Sequence, residues 1–308
     1  MRIGVTGASG MLGTALLRCL SKKNYEVFAT SRSNGAQFSN VKWDLFDLCD
    51  FTLLNEWLQK IKPDVVIHCA AIVNVDTCEE NISLATKVHV ESTQVIASYL
   101  TSNFGRLIYI STDSVFDGEK QDAYTETYLA NPLNVYSKTK LLGERHVESM
   151  NNGLVLRVNI VGTTKISSSS FAEWLLAGLI DKAPLNLFYD VYFSPLHVVD
   201  LSFIIGEIIE KPMCGVYHCA SKNSISKYEF GMMMAKIFQL SNLNLNKVSV
   251  ESVHFKAKRP KNMALDVKKS SLALGRDLPA VLDTLTLMKR MLDDNDNSVS
   301  GENERNSN

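Results

Sequence analysis

Thr6-Gly7-Ala8-Ser9-Gly10-Met11-Leu12-Gly13 follows the short apolar run Arg2-Ile3-Gly4-Val5 and leads into an apolar segment ending at Leu20. The order is strand, glycine turn, helix. Gly7 permits the tight turn, Gly10 lets the backbone come close to a phosphate, and Gly13 lets the helix pack against the strand. Free amides at the start of such a helix hold a pyrophosphate. A glycine-rich loop alone is also compatible with a purely structural turn. Here a second strand, Glu26 to Ala29, follows the helix and favours a dinucleotide site.

The same alternation continues outward. A short strand around Val41 to Trp43 precedes a helical period over Phe51 to Ile61, which stops before Pro63. Asp64 to Cys69 is a buried strand, about Glu80 to Thr101 a helix, and Arg106 to Ile110 a central strand. A helix opens at Asn131-Pro132-Leu133 and runs to about Glu148, and Leu154 to Val158 is the next strand. Apolar strands between amphipathic helices predict an α/β fold, a doubly wound parallel sheet of Rossmann-like type.

Composition sets outer limits. The chain has 308 residues, 45% apolar and 21% charged, with a formal net charge of -1. That allows one large or two modest domains, and the charge offers nothing to nucleic acid. No apolar run approaches the ~20 residues of a bilayer span. Arg2 to Gly7 reads as a strand rather than a signal peptide. Cys19, Cys49, Cys69, Cys78, Cys214 and Cys219 match neither metal nor redox spacing, so reduced thiols and a cytoplasmic location are expected.

The ends of the strands carry the candidate chemistry. After the second strand comes Thr30-Ser31-Arg32-Ser33, with no acid to bind ribose hydroxyls. Hydroxyls and the Arg32 guanidinium suit a 2'-phosphate, which favours NADPH over NADH; a solvated surface arginine is the alternative. Asp44 and Leu45 are placed to meet the adenine edge. Cys69, Ala70 and Ala71 come off the next strand, and their small size leaves room for a flat ring. Asn74, Asp76 and Glu79 follow in a loop that lines a cleft, unless Asp76 caps the next helix. His89 reads as a packed helix residue.

Ser111-Thr112-Asp113 stands at the tip of the central strand, and Asn159 faces the same cleft. Tyr136 and Lys140, four residues apart, share one helix face. A phenol loses its proton near pH ~10, and a nearby ammonium brings it closer to the working range. Thr112 can donate a hydrogen bond to the substrate oxygen that Tyr136 protonates. No metal site is expected.

Farther on, Gly162 to Ser170 reads as a mobile loop, Phe171 to Ile180 and Val198 to Glu210 as helices, and Gly215 to Cys219 as a strand. Ser226 and Glu229 form a capping box for a helix reaching Leu240, with Met232-Met233-Met234 as core filling. In Lys256-Ala257-Lys258-Arg259-Pro260, Arg259 is the candidate for substrate phosphates, against a solvated loop. Leu278 to Met288 is a last helix, and 293–308 a disordered tail.

Taken together, these stretches resemble the extended short-chain dehydrogenase/reductase superfamily and, within it, the dTDP-4-dehydrorhamnose reductase-like group. The carrying motifs are Thr6 to Gly13, Asp64 to Ala71, Val75-Asp76 with Glu79, and Ser111 to Gly118. Asn131 to Lys140, Gly143-Glu144, Ser194-Pro195 with Asp200-Leu201, and Arg259-Pro260 with Leu265-Asp266 complete them.

The resemblance implies that Ser9, Met11 and Leu12 line the pyrophosphate turn. It also implies that Tyr136 is the catalytic acid, that Lys140 holds the nicotinamide ribose, and that Thr112 stands at the catalytic Ser/Thr position. Residues 1–160 with about 195–220 would bind NAD(P), while about 161–194 and 221–292 would form a smaller substrate domain. The implied activity is reduction of a keto, nucleotide-linked sugar, and a homodimer is a family expectation. Ser114 replaces a frequent tyrosine, and Leu156 to Gly162 lacks a usual tryptophan. Both departures lie on the substrate side. A nucleotide-sugar epimerase or dehydratase, with Asp113 as an extra acid, is one alternative. A non-catalytic NADP-binding regulatory subunit, like the beta subunit of methionine adenosyltransferase, is another.

Overall fold

In the computed structural model, residues 1–162, 170–241 and 243–305 are described, leaving aside the side chains of 295–305. The large lobe begins with β1 (Arg2–Thr6), α1 (Met11–Leu20), β2 (Glu26–Ser31), β3 (Val41–Leu45), α2 (Phe51–Ile61) and β4 (Val65–His68). Next come α3 (Val75–Glu80), α4 (Ile82–Thr86), a π-helical turn over Lys87–Glu91, α5 (Ser92–Ser102), β5 (Arg106–Thr112), α6 (Val135–Glu148) and β6 (Leu154–Val158).

The chain then alternates between lobes through β7 (Ile160–Val161), α7 (Phe171–Ile180), β8 (Leu185–Phe188), β9 (Tyr192–Phe193), β10 (Leu196–His197), α8 (Val198–Ile208) and β11 (Gly215–Cys219). It ends with β12 (Ile225–Ser226), α9 (Lys227–Ile237), β13 (Leu245–Val248), β14 (Asn262–Met263), α10 (Lys268–Leu274) and α11 (Val281–Arg305).

Seven strands form one parallel sheet in the order β3-β2-β1-β4-β5-β6-β11. The doubly wound expectation is therefore met. Side chains alternate across a strand, so successive residues feed opposite cores. Ile108 and Ile110 of β5 join Leu16 and Leu17 of α1 and Ile204 and Ile205 of α8 on one face. Leu107 and Tyr109 join Leu54, Leu58, Ile96 and Leu100 of α2 and α5 on the other. The order reverses between β1 and β4, and both strand tips open into the crevice where α/β sheets bind ligands.

The smaller lobe has its own core, with Leu175, Leu187, Phe193, Phe230, Met234, Leu285 and Met288 among its buried residues. Ser226 and Glu229 make the expected capping box at α9. Of the three methionines, Met234 is buried and Met232 exposed.

Three expectations change. The helix placed over about Glu80 to Thr101 is three pieces, because Asn81 ends α3 and caps α4 through Leu84 N, and the chain then widens into the π turn. The last helix runs Val281–Arg305 and enters the segment expected as a disordered tail; 306–308 lie outside the described residues. Most of the loop expected over Gly162 to Ser170, namely 163–169, also lies outside them. Among the described residues, no helix is long and apolar enough to cross a membrane.

Candidate active site

The glycine turn has the geometry its residues require. Gly7 adopts φ +62, and a Cβ there would lie 2.7 Å from the Ala70 backbone. At Gly13 a Cβ would lie 2.4 Å from the Gly7 carbonyl oxygen, so side chains at either place would push α1 away from β1 and β4. Gly10 is exposed and forms the N-cap of α1 with no side-chain cap, leaving the first helical amides at Met11 and Leu12 available to an anion. Ser9 borders this cradle, half-buried. These features fit a dinucleotide pyrophosphate.

Cys69, Ala70 and Ala71 leave β4 beside the turn, and Cys69 N donates to Thr6 O at 3.3 Å. Their placement next to Gly7 agrees with the space expected for a ring. Arg32 is exposed just past the end of β2 and makes no ion pair among the described residues. Leu45 is 49% exposed and Asp44 lies beside it, but Lys60 of α2 pairs with the Asp44 carboxylate. Asp44 therefore meets a lysine on its own lobe rather than standing free for an adenine edge.

Thr112, Tyr136 and Lys140 come together as the sequence expected. Thr112 ends β5 and caps the following 3-10 turn through Ser114 N at 3.2 Å. Asn134 caps α6 through Ser137 N, and Glu79 reaches across from α3 to accept from Val135 N at 2.8 Å. That fixes the first turn of the helix bearing Tyr136. Ser137 Oγ donates to Ser114 Oγ at 2.9 Å, and Ser114 Oγ lies 3.0 Å from Thr112 Oγ1. The Thr112 hydroxyl also faces the Tyr136 phenol, where hydrogen bonding to it favours the phenolate.

The expected acidification of Tyr136 by Lys140 is absent. Loss of water around the phenol dominates and pushes it up to about 12. Lys140 is only 2% exposed; its Nζ donates to Ile110 O at 2.7 Å and lies 4.0 Å from the centroid of the Tyr109 ring. Loss of water brings the amine down to about 7, although the nearby Glu144 carboxylate opposes this. Behind it, Arg157 clasps Glu144 with Nη2 to Oε2 at 2.7 Å, and Ser111 donates to the same carboxylate.

Two groups escaped sequence reasoning. His89, on the π turn, accepts from Ile72 N at 2.8 Å through Nε2 and pairs with Thr139 Oγ1 at 2.8 Å through Nδ1. Its ring meets Tyr136 edge-on, with centroids 5.7 Å apart. It thus joins the loop after β4 to the catalytic helix, as a neutral imidazole kept so by burial. Lys227 is the second group. It starts α9 in the smaller lobe, with Nζ 3.3 Å from the Phe193 ring centroid and 4.1 Å from that of Phe171.

The expected substrate residues divide. Asp113 is buried, its Oδ1 accepting from Thr112 at 3.2 Å, and Asn159 Nδ2 donates to its other oxygen. These two stay at the cleft. Asn74 is the N-cap of α3, accepting from Thr77 N at 2.9 Å, so it and not Asp76 takes the capping role. Arg259 stands 3.7 Å from Asp76 and stacks near Phe255, while Lys256 pairs with Glu80 at 2.7 Å. The basic run thus reaches α3 of the large lobe. Among the described residues, no cluster of acids, histidines and cysteines could hold a metal ion.

The parallel sheet, the glycine turn and the Thr-Tyr-Lys group define an oxidoreductase of the extended short-chain dehydrogenase/reductase superfamily. Within that class the chain belongs to the family described as the RmlD substrate binding domain, whose profile matches residues 1–293.

It is 28% identical to a probable low-salt glycan biosynthesis reductase of Haloferax volcanii, over 94% of this chain and 98% of that protein. It is 30% identical to methionine adenosyltransferase 2 subunit beta of Xenopus laevis, over 89% and 83%. A crystal structure of dTDP-4-dehydrorhamnose reductase from Bacillus anthracis in complex with NADP superposes with a TM-score of 0.84 at 26% identity, covering 94% and 99%.

Proposed function

We propose that this protein is an NAD(P)H-dependent reductase of a keto nucleotide sugar, with NADPH as preferred carrier. The observation that carries the proposal is the meeting of Thr112, Tyr136 and Lys140 at the carboxyl end of β5, close to the glycine turn. The Bacillus anthracis relative was solved with NADP, and exposed, unpaired Arg32 supports a 2'-phosphate at the end of β2. On this reading residues 1–160 with about 195–220 hold the cofactor, and the remaining segments close over the substrate. Val161 packs in the smaller core, whereas Leu196, Val198 and Cys219 pack in the larger, which supports the division.

The residues fit a nicotinamide dinucleotide, which supplies a hydride when bound. Tyr136, kept protonated at neutral pH by its burial, is the proton donor to the carbonyl oxygen. Thr112 polarises the same oxygen through its hydroxyl. Lys140, titrating near 7, holds the ribose and stands ready to restore the phenol's proton. His89 keeps the Tyr136 ring and the loop after β4 in register.

The test is purified protein with NADPH or NADH and a panel of keto nucleotide sugars, followed by nicotinamide absorbance. Net oxidation, abolished at least ~100-fold by Tyr136→Phe with cofactor affinity unchanged, is expected. Product without net oxidation would place the chain with epimerases or dehydratases. The Xenopus laevis relative favours a second reading, a cofactor-binding regulatory subunit. Tight NADPH binding with no turnover across the panel would favour that reading and reject the reductase.

A further inference from the structure

Lys227 belongs to the smaller lobe, yet the structure ties its charge to the tip of the catalytic strand. It follows the Ser226 cap of α9, and its amide donates to Val191 O at 3.0 Å, which fixes its backbone. Its side chain passes between two rings, with the ammonium over Phe193 and Phe171. Among the described residues the ammonium makes no hydrogen bond and no ion pair. Three N–H donors therefore lack an oxygen. The side chain stays partly exposed, so the donors can reach a ligand.

Asp113 is the opposite charge that Lys227 senses, and Lys227 is among the charges Asp113 senses. The two do not close an ion pair. Asp113 is anchored by Thr112 and Asn159, each using one lone pair of its carboxylate oxygens. Each oxygen keeps further accepting capacity. The juxtaposition is an acceptor on the large lobe and an unused donor on the small lobe, facing each other beside Thr112. A single hydroxyl satisfies both, since it donates once and accepts twice.

We propose that Lys227 and Asp113 together read a substrate hydroxyl on the sugar carbon next to the carbonyl. The hydroxyl donates to Asp113 and accepts from Lys227. Its position beside the carbonyl follows from Thr112, the neighbour of Asp113, standing at the carbonyl oxygen; in this the inference rests on the reductase reading. Burial lowers Lys227 to about 7 and raises Asp113 to about 6, which agrees with two groups held away from water near a ligand position. The pair thereby selects among keto sugars by the presence of that hydroxyl.

The experiment is calorimetric binding, with NADP present, of a keto nucleotide sugar carrying this hydroxyl and of its deoxy counterpart. Wild type is expected to prefer the hydroxylated sugar by about 10–100-fold, the range of a hydrogen bond to a charged group. Lys227→Met should bring the two affinities to within ~3-fold, and Lys227→Arg should restore much of the preference. NADPH affinity should not change in either variant. Equal affinities in wild type, or undiminished preference in Lys227→Met, would overturn the pair. A parallel loss of sugar and NADPH affinity would also overturn it, since that marks a structural role. If Lys227→Met does not fold, the wild-type and Lys227→Arg comparison still decides. Binding is read independently of turnover, so an inactive protein would sink the reductase reading without deciding this one.

Discussion

Lys140 carries a desolvation cost at neutral pH, and that cost has a sign. Its amine titrates near 7 in the fold and near ~10.4 when unfolded. Between those values the unfolded chain binds more protons, so stability rises with pH across that window and the penalty is complete below it. Lys227, also near 7, adds to the same slope. We expect Lys140→Met to flatten the rise of the thermal midpoint between pH 7 and 10, to raise the midpoint at pH 7, and to remove activity. Thermal unfolding from pH 6 to 10 measures this; an unaltered slope rejects it. At this scale the sequence was informative where spacing is local. Tyr136 and Lys140 sit one helical turn apart, and Thr112 marks a strand tip. Lys227 was hidden because only the folding of a second lobe brings it near Asp113. The altered Tyr136 titration was equally hidden, since spacing reveals proximity but not the loss of water around it.

At the scale of elements, the junction of β1, α1 and β4 is the tightest in the site. A methyl group on Gly13 would lie 2.4 Å from the Gly7 carbonyl, well inside contact distance. Gly13→Ala should destabilise the protein by roughly 2–4 kcal/mol and weaken NADPH binding more than ~10-fold, as overpacked cores do. Denaturant midpoints and cofactor titration test it, and wild-type values for both would refute it. The strands and the glycine turn were legible because period-two burial and glycine spacing are written locally. The breaks in the helix from 80 onward were less so. Asn81 is a capping residue inside an otherwise helical period, and the π turn answers to a crossing with α6. There, a Cβ on Gly143 would stand 2.4 Å from His89 O. Such a crossing leaves no mark on the sequence of either helix alone.

On the scale of the whole molecule, two lobes share one chain that passes between them more than once. The smaller core gathers α7, α9 and α11, while α8 returns to lie against α1 and β11 returns to pair with β6. The order of the large-lobe strands could be anticipated up to β6, because each follows its helix directly. The return of β11 came from resemblance rather than from pattern, as no local signal says which edge a late strand will join. Arg106 then secures that return, donating from the start of β5 to the carbonyls of Ile208, Ile209, Lys211 and Met213.

The late arrival of β11 has a consequence for biosynthesis. Until the ribosome has released Cys219, β6 is a bare margin with free amides and carbonyls, open to any neighbouring nascent chain. A polypeptide stopped at Met213 should therefore precipitate readily. One stopped at Ala220 should remain dispersed far longer, even though neither has completed the second lobe. Light scattering of the two truncated products measures the difference, and identical clouding would show that the exposed margin is not what governs their fate.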